Sequence, residues 1–297
     1  MKRPNLFLFG APRSGTTQLA HHLASHPMID LCPIKEPNFF AADDFDPDYV
    51  CKTHLDDLPA GTKPKRPVQF AVVRDWNTYL DLFSGTTAHY RLEASTSYLS
   101  SPQAAENIAQ RCPDARIIIL TRDPVDRAVS HYRLARRTGR TRASLDAEIS
   151  LELAEVHPLC ARYILRPSRQ NAGVARVFQN FAPARIYRTT FKEYVTNPDA
   201  VMAGIAGFLD CPAGGFDPTV QAKNAGAEPR FPLLNAMLYH TGIKTRLRRV
   251  LGPHSKDLIK ALWFQDRPAR EIVSLTELAR LRNLLADEYK DLTACEY

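Results

Sequence analysis

The amino-acid sequence predicts an α/β fold of three layers, in which helices cover both faces of a central parallel sheet, with a helical appendage at the C-terminus. Strand-like and helix-like segments alternate over residues 1–210, and such alternation is typical of a parallel sheet with helices on both sides. The apolar stretch ARIIIL at 115–120 is the most strongly predicted strand. From about residue 217 the chain becomes basic and helix-like, which predicts an appendage packed on the sheet.

The individual elements follow from apolar periodicity and from turn residues along the chain. Strands are predicted at 5–9, 28–32, 91–95, 115–120 and 184–190. Helices are predicted at 16–25, 74–84, 102–111, 124–138, 198–209 and 274–290, with helix-like segments near 232–250 and 254–264. Residues 41–70 are rich in Asp, Pro and Lys, and we expect a surface excursion or lid there. We expect one domain over 1–297, with an α/β core at 1–230 and a helical tail at 231–297.

Composition limits the ligands and the compartment. The chain has 39 Lys and Arg against 32 Asp and Glu, a net charge of +7. This excess favours an anionic ligand such as a nucleotide, a nucleic acid, an acidic glycan or a membrane surface. The six cysteines are irregularly spaced, which predicts free thiols in a reducing compartment and no metal site. No targeting segment and no apolar run near ~20 residues is visible, so we expect a cytoplasmic protein.

GAPRSGTT, residues 10–17, has the outline of a nucleotide-hydrolysing P-loop without its lysine. The P-loop pattern is G-x-x-x-x-G-K-[ST]. Gly10 and Gly15 keep the glycine spacing, whereas Thr16 stands at the lysine position. A predicted strand precedes the segment and a predicted helix follows it, as a P-loop requires. The fold is therefore predicted to be P-loop-like.

The same loop is predicted to bind an anion. The N–H groups of Ser14, Gly15, Thr16 and Thr17 would lie at the N-terminus of the following helix, where the helix dipole favours negative charge. Arg13 adds a permanent charge and a forked donor from inside the loop. The alternative is an ordinary strand-to-helix turn. The strand, the helix, the paired glycines, the arginine and the threonines together favour the anion site.

A second motif, ILTRDPVDRAVSHYR, occupies residues 119–133. Arg122 lies at the carboxyl end of a central strand, where α/β sheets bind ligands. Ser130 follows eight residues later, about two helical turns on. This spacing predicts that Arg122 and Ser130 hold one phosphate together. The alternative is that Arg122 pairs with Asp123 or Asp126 and that Ser130 is helix surface.

The two motifs closely resemble the 5′-phosphosulfate loop and the 3′-phosphate motif of sulfotransferases that use 3′-phosphoadenosine 5′-phosphosulfate (PAPS). KEPNFF at 35–40, EASTSYLSSP at 93–102 and residues 186–210 also resemble segments of that family. The resemblance covers about 1–230 and is closest to bacterial members and to the heparan-sulfate sulfotransferase branch. It implies that a sulfuryl group passes from PAPS to a hydroxyl or amine, releasing adenosine 3′,5′-bisphosphate without a metal.

The resemblance also implies roles for individual residues. Arg13 through Thr17 would hold the 5′-phosphosulfate, and Arg13 would stabilise the sulfuryl group and its leaving phosphate. Arg122 and Ser130 would grip the 3′-phosphate. Lys223 and Asn224, with Gly226 and Arg230 nearby, fall where the family closes a basic loop over that phosphate; the alternative is a solvated connector.

Glu36 in KEPNFF falls where related enzymes carry a catalytic glutamate, which implies that it removes the acceptor's proton. The alternative is a surface carboxylate paired with Lys35. Rival bases are His54, His89 and His131.

The sequence also offers candidate contacts to the acceptor, namely Lys35, Glu93, Ser95 and Tyr98, although Tyr98 fits the core equally well. Ala94 stands where the heparan-sulfate branch carries a lysine, a departure that argues against a heavily sulfated glycan acceptor.

Two other functions are compatible with the sequence: a P-loop kinase of nucleotides or small molecules, and a non-catalytic protein that binds anions or nucleic acid. No patch of interleaved aromatic and basic residues is visible, so we expect no nucleic-acid partner. The acceptor, whether glycan, lipid or small molecule, and the oligomeric state stay open. KTRLRRV at 244–250 has amphipathic helical spacing and is a candidate for peripheral membrane contact.

Overall fold

The computed structural model describes residues 2–46, 68–156, 163–220 and 273–290, together with the backbone of three short strands. The strands in chain order are β1 (Leu6–Phe9), β2 (Ile29–Leu31), β3 (Ile34–Glu36), β4 (Asp56–Asp57), β5 (Val68–Val72), β6 (Tyr90–Glu93), β7 (Arg116–Thr121), β8 (Ile186–Thr190), β9 (Glu228–Pro229) and β10 (Phe264–Gln265). Five of them form the main sheet, in the order β2–β6–β1–β7–β8.

Every pairing in the main sheet is parallel, which confirms the predicted fold class. The register of β1 against β7 runs from Leu6 opposite Arg116 to Phe9 opposite Ile119. All four β1 residues are fully buried, as expected of a central strand covered on both faces. The carboxyl ends of β1 and β7 therefore lie side by side at one edge of the sheet.

Ten α-helices are described in this part of the chain. They are α1 (Thr16–Leu23), α2 (Trp76–Asp81), α3 (Ala104–Arg111), α4 (Pro124–Thr138), α5 (Leu145–Leu153), α6 (Asn171–Asn180), α7 (Phe191–Thr196), α8 (Pro198–Phe208), α9 (Leu275–Leu284) and α10 (Asp287–Lys290). The helices predicted at 16–25, 74–84, 102–111, 124–138 and 198–209 are present, with ends shifted by one to three residues or not at all. The single helix predicted at 274–290 is instead two helices, α9 and α10.

The sheet separates two apolar cores, because successive side chains of a strand point to opposite faces. Phe7 and Phe9 of β1 pack in one core with residues of α3 and α6, whereas Leu6 and Leu8 pack in the other with residues of α1 and α8. The central strand β7 divides its isoleucines between the cores in the same way. This arrangement gives the three predicted layers.

Helix α4 has the bounds that the sequence predicts, since its ends are fixed by local chemistry. The Asp123 carboxylate accepts a hydrogen bond of 2.8 Å from the N–H of Asp126, and Pro124 is the first helical residue. Gly139 ends the helix with φ at 84°, a conformation that glycine adopts without steric cost. Arg122, directly before this helix, is thereby held at a fixed place.

The described part of the helical tail packs on helices, which corrects the expectation that the tail packs on the sheet. Val273, Leu281 and Leu285 are buried with residues of α4 and α5 in a third apolar cluster that contains no residue of a strand. The basic segments near 232–250 and 254–264, including KTRLRRV, lie outside the described residues apart from the short strand β10.

Sequence analysis missed α5, α6, α7 and a small parallel sheet in the order β3–β5–β4. These strands have only two to five residues, too few to show periodicity. The helices α5 and α6 bury few large apolar side chains, and Gly173 in α6 weakens its helical pattern. Of the predicted excursion at 41–70, the described residues 41–44 continue a 3-10 helix that begins at Phe39.

The cysteines within the described residues, Cys32, Cys112 and Cys211, are free thiols, as predicted. The other three cysteines lie outside the described residues. Among the helices described, none has both the length and the apolar character needed to cross a bilayer.

Gly173 provides a test of the contact between α6 and the segment after β6. A Cβ atom at this position would lie 2.0 Å from the Leu99 carbonyl oxygen. We expect Gly173→Ala to lower the free energy of unfolding by about 1–3 kcal/mol, measured by urea denaturation. The control is Gly207→Ala in α8, where a Cβ atom would meet nothing within 4 Å; it should be neutral or stabilise by about 0.5–1 kcal/mol. Equal stability of the two variants would contradict this packing.

Candidate active site

The loop between β1 and α1 has the tight backbone that its glycines predict. The Ser14 N–H donates to the Ala11 carbonyl at 3.0 Å, and both Arg13 and Gly15 have positive φ, at 76° and 91°. A Cβ atom at Gly15 would lie 2.5 Å from the Phe191 ring, so only glycine fits there. Non-glycine residues with positive φ are uncommon and mark functional sites more often than chance.

The loop presents polar groups that lack protein partners. The first N–H groups of any α-helix have no acceptor within the helix. Gly15, the residue before α1, has no side chain that could accept from them. The Ser14 side chain is fully buried, and within the described residues its hydroxyl has no hydrogen-bond partner. A buried, unsatisfied hydroxyl beside an uncapped helix N-terminus fits an anion with acceptor oxygens.

Two arginines and a serine from separate motifs meet at this loop. Arg13 Nε donates to Ser130 Oγ at 3.2 Å, and Arg122 Nη1 donates to the Arg13 carbonyl at 2.8 Å. The Arg122 guanidinium lies 4.7 Å above the Phe191 ring centroid. Arg13 and Ser130 are 117 positions apart in the sequence. The fold therefore brings the predicted anion-binding residues together in one cluster.

The cluster is electrostatically poised for an anion. Burial lowers the pKa of Arg13, and the nearby positive charges of Arg137 and Arg122 lower it further. Burial also lowers the pKa of Arg122, although Asp126 and Asp123 oppose that shift. Both guanidinium groups remain charged at neutral pH. An anion at the loop would relieve the repulsion between them.

Arg127 stabilises the loop by a hydrogen bond to the residue before Arg13, and sequence analysis did not identify this role. Its side chain is fully buried and donates to the carbonyls of Pro12, Tyr163 and Ile164 at 2.8 to 3.1 Å and to Ser168 Oγ at 2.7 Å. Burial lowers its pKa to about 9. Because Arg127 lies three residues before Ser130 on α4, the two side chains share a face of the helix, and this spacing could have indicated Arg127. Its carbonyl partners, however, come from segments that no sequence pattern connects.

Lys35 and Glu36 form an ion pair, as the alternative for Glu36 predicted, but the pair is buried and does not lie on the surface. Lys35 Nζ lies 2.6 Å from Glu36 Oε1, and their side chains are 5% and 3% exposed. The other oxygen, Glu36 Oε2, accepts from Thr96 Oγ1 at 2.6 Å. Lys35 Nζ also lies 3.4 Å from Thr16 Oγ1 of the loop. The candidate base is thus connected to the anion-binding loop through one lysine.

The three candidate acceptor contacts near the end of β6 are buried. Glu93 and Ser95 are 0% exposed and Tyr98 is 2% exposed. Glu93 accepts from the hydroxyls of Tyr98 at 2.5 Å and Tyr79 at 3.1 Å and from the Ser95 N–H at 2.8 Å. Tyr98 belongs to the apolar core, the alternative that sequence analysis left open. Direct contact of these three residues with an acceptor stays a prediction.

These buried residues hold the neighbourhood of Glu36. Ser95 Oγ accepts from the Asn38 N–H at 2.9 Å, and Asn38 Nδ2 donates to the Glu36 carbonyl at 2.8 Å. Asn38 has positive φ at 53°, so its backbone depends on such contacts. Burial raises the pKa of Glu93 to about 7, against the opposing hydrogen bonds from Ser95 and Tyr98.

The remaining predicted residues fall in three groups. Thr16 is buried and Thr17 is exposed at the start of α1. His131 Nδ1 accepts from Arg127 Nη1 at 3.1 Å, and burial lowers the pKa of His131 well below the usual value. His89 lies just before β6, at the end of the sheet opposite the loop. Residues outside the described part of the chain are His54, Lys223, Asn224, Gly226 and Arg230.

Within the described ranges no group of three or more His, Cys, Asp or Glu side chains is arranged to hold a metal ion. A reaction without metal stays a prediction.

The sheet and its loop define an α/β protein of P-loop-like architecture with a candidate anion site at the carboxyl ends of β1 and β7. The chain belongs to the sulfotransferase family: residues 4–215 match the model described as "Sulfotransferase family". That range includes the loop, KEPNFF and the Arg122 motif. No significant relative was found among curated proteins.

Solved sulfotransferase structures share this fold. The chain is similar to a sulfotransferase from Alicyclobacillus acidocaldarius, with a TM-score of 0.63 and 24% identity over 96% of this chain and 97% of that one. It is also similar to the mouse sulfotransferase SULT7A1 complexed with PAP, with a TM-score of 0.52 and 12% identity over 99% and 87% of the two chains. At these identities the likeness shows the fold alone.

The raised pKa of Glu93 predicts a pH-dependent stability. The folded state holds this proton more tightly than the unfolded chain, so its stabilising contribution is complete below pH 4.5 and is lost as the pH rises to about 7. Over this interval the free energy of unfolding of the wild type, relative to Glu93→Gln, should fall by roughly 3 kcal/mol. Urea denaturation of both proteins from pH 4.5 to pH 8 measures it. Parallel pH profiles would contradict the shift.

Proposed function

We propose that this protein transfers a sulfuryl group from PAPS to a hydroxyl or amine of an acceptor, releasing adenosine 3′,5′-bisphosphate (PAP). One observation carries the proposal: Arg13, Arg122 and Ser130, from two distant motifs, meet beside an uncapped helix N-terminus. Membership of the sulfotransferase family supports it. Two relatives of the same fold were solved with PAP bound, SULT7A1 and a retinol dehydratase.

The residues present fit the two anionic ends of such a donor. We assign the 5′-phosphosulfate to Arg13 and the N–H and hydroxyl groups of Ser14 to Thr17, because the buried Ser14 hydroxyl has no partner there. We assign the 3′-phosphate to Arg122 and Ser130, with Lys223 and Asn224 covering it. Bound PAPS would supply the activated sulfuryl group, and the arginines would stabilise charge that develops on the leaving phosphate.

Glu36 is the proposed base. The acceptor's hydroxyl or amine must lose a proton during transfer, and the base must reach it. Glu36 lies next to the loop through Lys35, and its carboxylate is fixed by Thr96 and Lys35. The likeness of KEPNFF to the heparan-sulfate branch supports this role. We regard Glu93, Ser95 and Tyr98 as residues that position Asn38 and Glu36.

The acceptor class, glycan, lipid or small molecule, stays open, as do peripheral membrane contact through the basic tail and a cytoplasmic location. A screen of acceptor extracts with radiolabelled PAPS would identify the substrate. A labelled product that is extracted into organic solvent would point to a lipid, and one retained on a size-exclusion column would point to a polysaccharide.

Donor recognition is tested by calorimetry with PAP and with ATP plus Mg²⁺. We expect PAP to bind and Arg122→Leu to weaken that binding about 10- to 100-fold, the effect of losing a hydrogen bond to a charged group. The matched control is Arg133→Leu, an exposed arginine of α4, the helix that follows Arg122, which should change PAP affinity less than about twofold. Tight ATP binding that ignores the 3′-phosphate would instead favour the kinase alternative.

The base is tested with Glu36→Gln, which keeps the side-chain shape but cannot take a proton at neutral pH. We expect unchanged PAP affinity and a decrease in the rate of sulfate transfer of about 10²- to 10⁴-fold, the usual contribution of a general base. Transfer to the acceptor found in the screen provides the rate. Undiminished turnover would remove Glu36 from the reaction and leave the histidines as candidates.

A further inference from the structure

Lys35 occupies a position that the proposed roles of its neighbours leave unexplained. Its ammonium group lies 2.6 Å from Glu36 Oε1 and 3.4 Å from Thr16 Oγ1, and its side chain is 5% exposed. Thr16 stands where a nucleotide-hydrolysing P-loop has its lysine. Strand β3 thus brings to the loop, from residue 35, the kind of charge that the loop sequence lacks at residue 16.

Two of the three ammonium donors of Lys35 are used by Glu36 and Thr16. Within the described part of the chain the third has no partner. Without an anion at the loop, Glu36 is the one carboxylate that balances this buried charge there. An ammonium group next to the N-terminus of a helix is otherwise unfavourable. Glu36 and an anion in the loop would therefore compete for the same ammonium group.

We infer that Lys35 is a positioning residue shared between Glu36 and the sulfuryl end of the donor, so that donor binding draws the ammonium away from the base. This inference rests on the proposed function. With the donor in place, the ammonium group turns toward a sulfuryl oxygen, whose negative charge competes with that of Glu36, and its contact with Glu36 loosens. Glu36 Oε1, which also accepts from Gln69 Nε2 at 3.4 Å, is then available to the acceptor's hydroxyl or amine.

The proton and electron balance is complete without a further reactant. Glu36 Oε1 accepts the proton of the acceptor's O–H or N–H as that oxygen or nitrogen bonds to sulfur. The bond between sulfur and the 5′-phosphate oxygen breaks, and its electron pair stays on PAP. Lys35 takes no part in the proton transfer and stabilises the oxygens of the transferred group. Glu36 can therefore accept a proton from the acceptor only when the donor is bound, so it does not act as a base while the sulfuryl group is absent.

Sharing predicts a pattern that a merely structural ion pair does not produce. If Glu36 competes with the donor for Lys35, removing the charge of Glu36 strengthens donor binding, but only while Lys35 is present. PAP lacks the sulfuryl group and therefore reports on the rest of the nucleotide site. The informative quantity is the ratio of PAPS affinity to PAP affinity, measured in the absence of acceptor.

The experiment compares the wild type, Lys35→Met, Glu36→Gln and the double variant by calorimetry with PAPS and with PAP. We expect Lys35→Met to lower the PAPS-to-PAP ratio by about tenfold, the effect of a charge-assisted hydrogen bond. Glu36→Gln should raise it by about three- to tenfold, and the double variant should match Lys35→Met. The control is Lys2→Met, an exposed lysine before the amino end of β1, which should leave the ratio unchanged.

Each other outcome overturns the inference. A ratio that is the same in all four proteins means that Lys35 does not reach the sulfuryl group. A ratio lowered by Lys35→Met but unchanged by Glu36→Gln means that Lys35 contacts the donor without being shared. Lys35→Met leaves a buried carboxylate unpaired and can unfold; thermal melting detects this, and the comparison of Glu36→Gln with the double variant then decides alone. Failure of the wild type to bind PAP would instead contradict the proposed function.

Discussion

The site depends on the parallel pairing of β1 with β7. This register sets Phe9 opposite Ile119, so the glycine loop and the Arg122 motif leave the sheet next to each other. These two segments approach so closely that a Cβ atom at Gly10 would lie 2.8 Å from the Leu120 carbonyl and 2.5 Å from Thr16 Cγ2. Glycine at this position therefore serves two purposes, since it permits the turn and it permits the neighbouring strand to support the loop. A one-residue shift between these strands would move Arg122 and the loop out of register and exchange the side chains between the two cores.

The arginines around the loop are held in place by hydrogen bonds to backbone carbonyls more than by ion pairs with carboxylates. Arg122 donates to the Arg13 carbonyl, and Arg127 donates to the carbonyls of Pro12, Tyr163 and Ile164. Carbonyl oxygens satisfy the guanidinium hydrogens without cancelling their charge. The arginines are thus held in place while their positive potential remains available to an anion. Asp123, which the sequence offered as an ion-pair partner of Arg122, instead caps α4 and accepts from the Tyr289 hydroxyl at 2.9 Å.

Glu36 and Glu93 are both buried carboxylates, but their surroundings suit them to different roles. Glu36 faces an ammonium group and the Thr96 hydroxyl, a setting that connects it to the loop through Lys35. Glu93 faces the hydroxyls of Tyr79 and Tyr98 inside an apolar core, where burial raises its pKa to about 7. The first setting suits a group that exchanges partners during a reaction. The second suits a rigid support for Ser95 and, through it, for Asn38 and Glu36.

The sequence by itself determined the elements whose signals are local. The strands LFLF and RIIILT, the glycine loop and the caps of α4 all follow from neighbouring residues, because apolar runs, turn glycines and capping carboxylates act within a few positions. Loop chemistry and spacing indicated Arg13, Arg122 and Ser130 as anion-binding candidates, and the family resemblance added Glu36 as the candidate base. Only the tertiary structure decided which of these meet, that Arg127 supports them, that Lys35 is buried between Glu36 and Thr16, and that Glu93 lies in the core. These facts depend on pairings between segments far apart in the chain, and burial and electrostatic environment arise only after those segments pack.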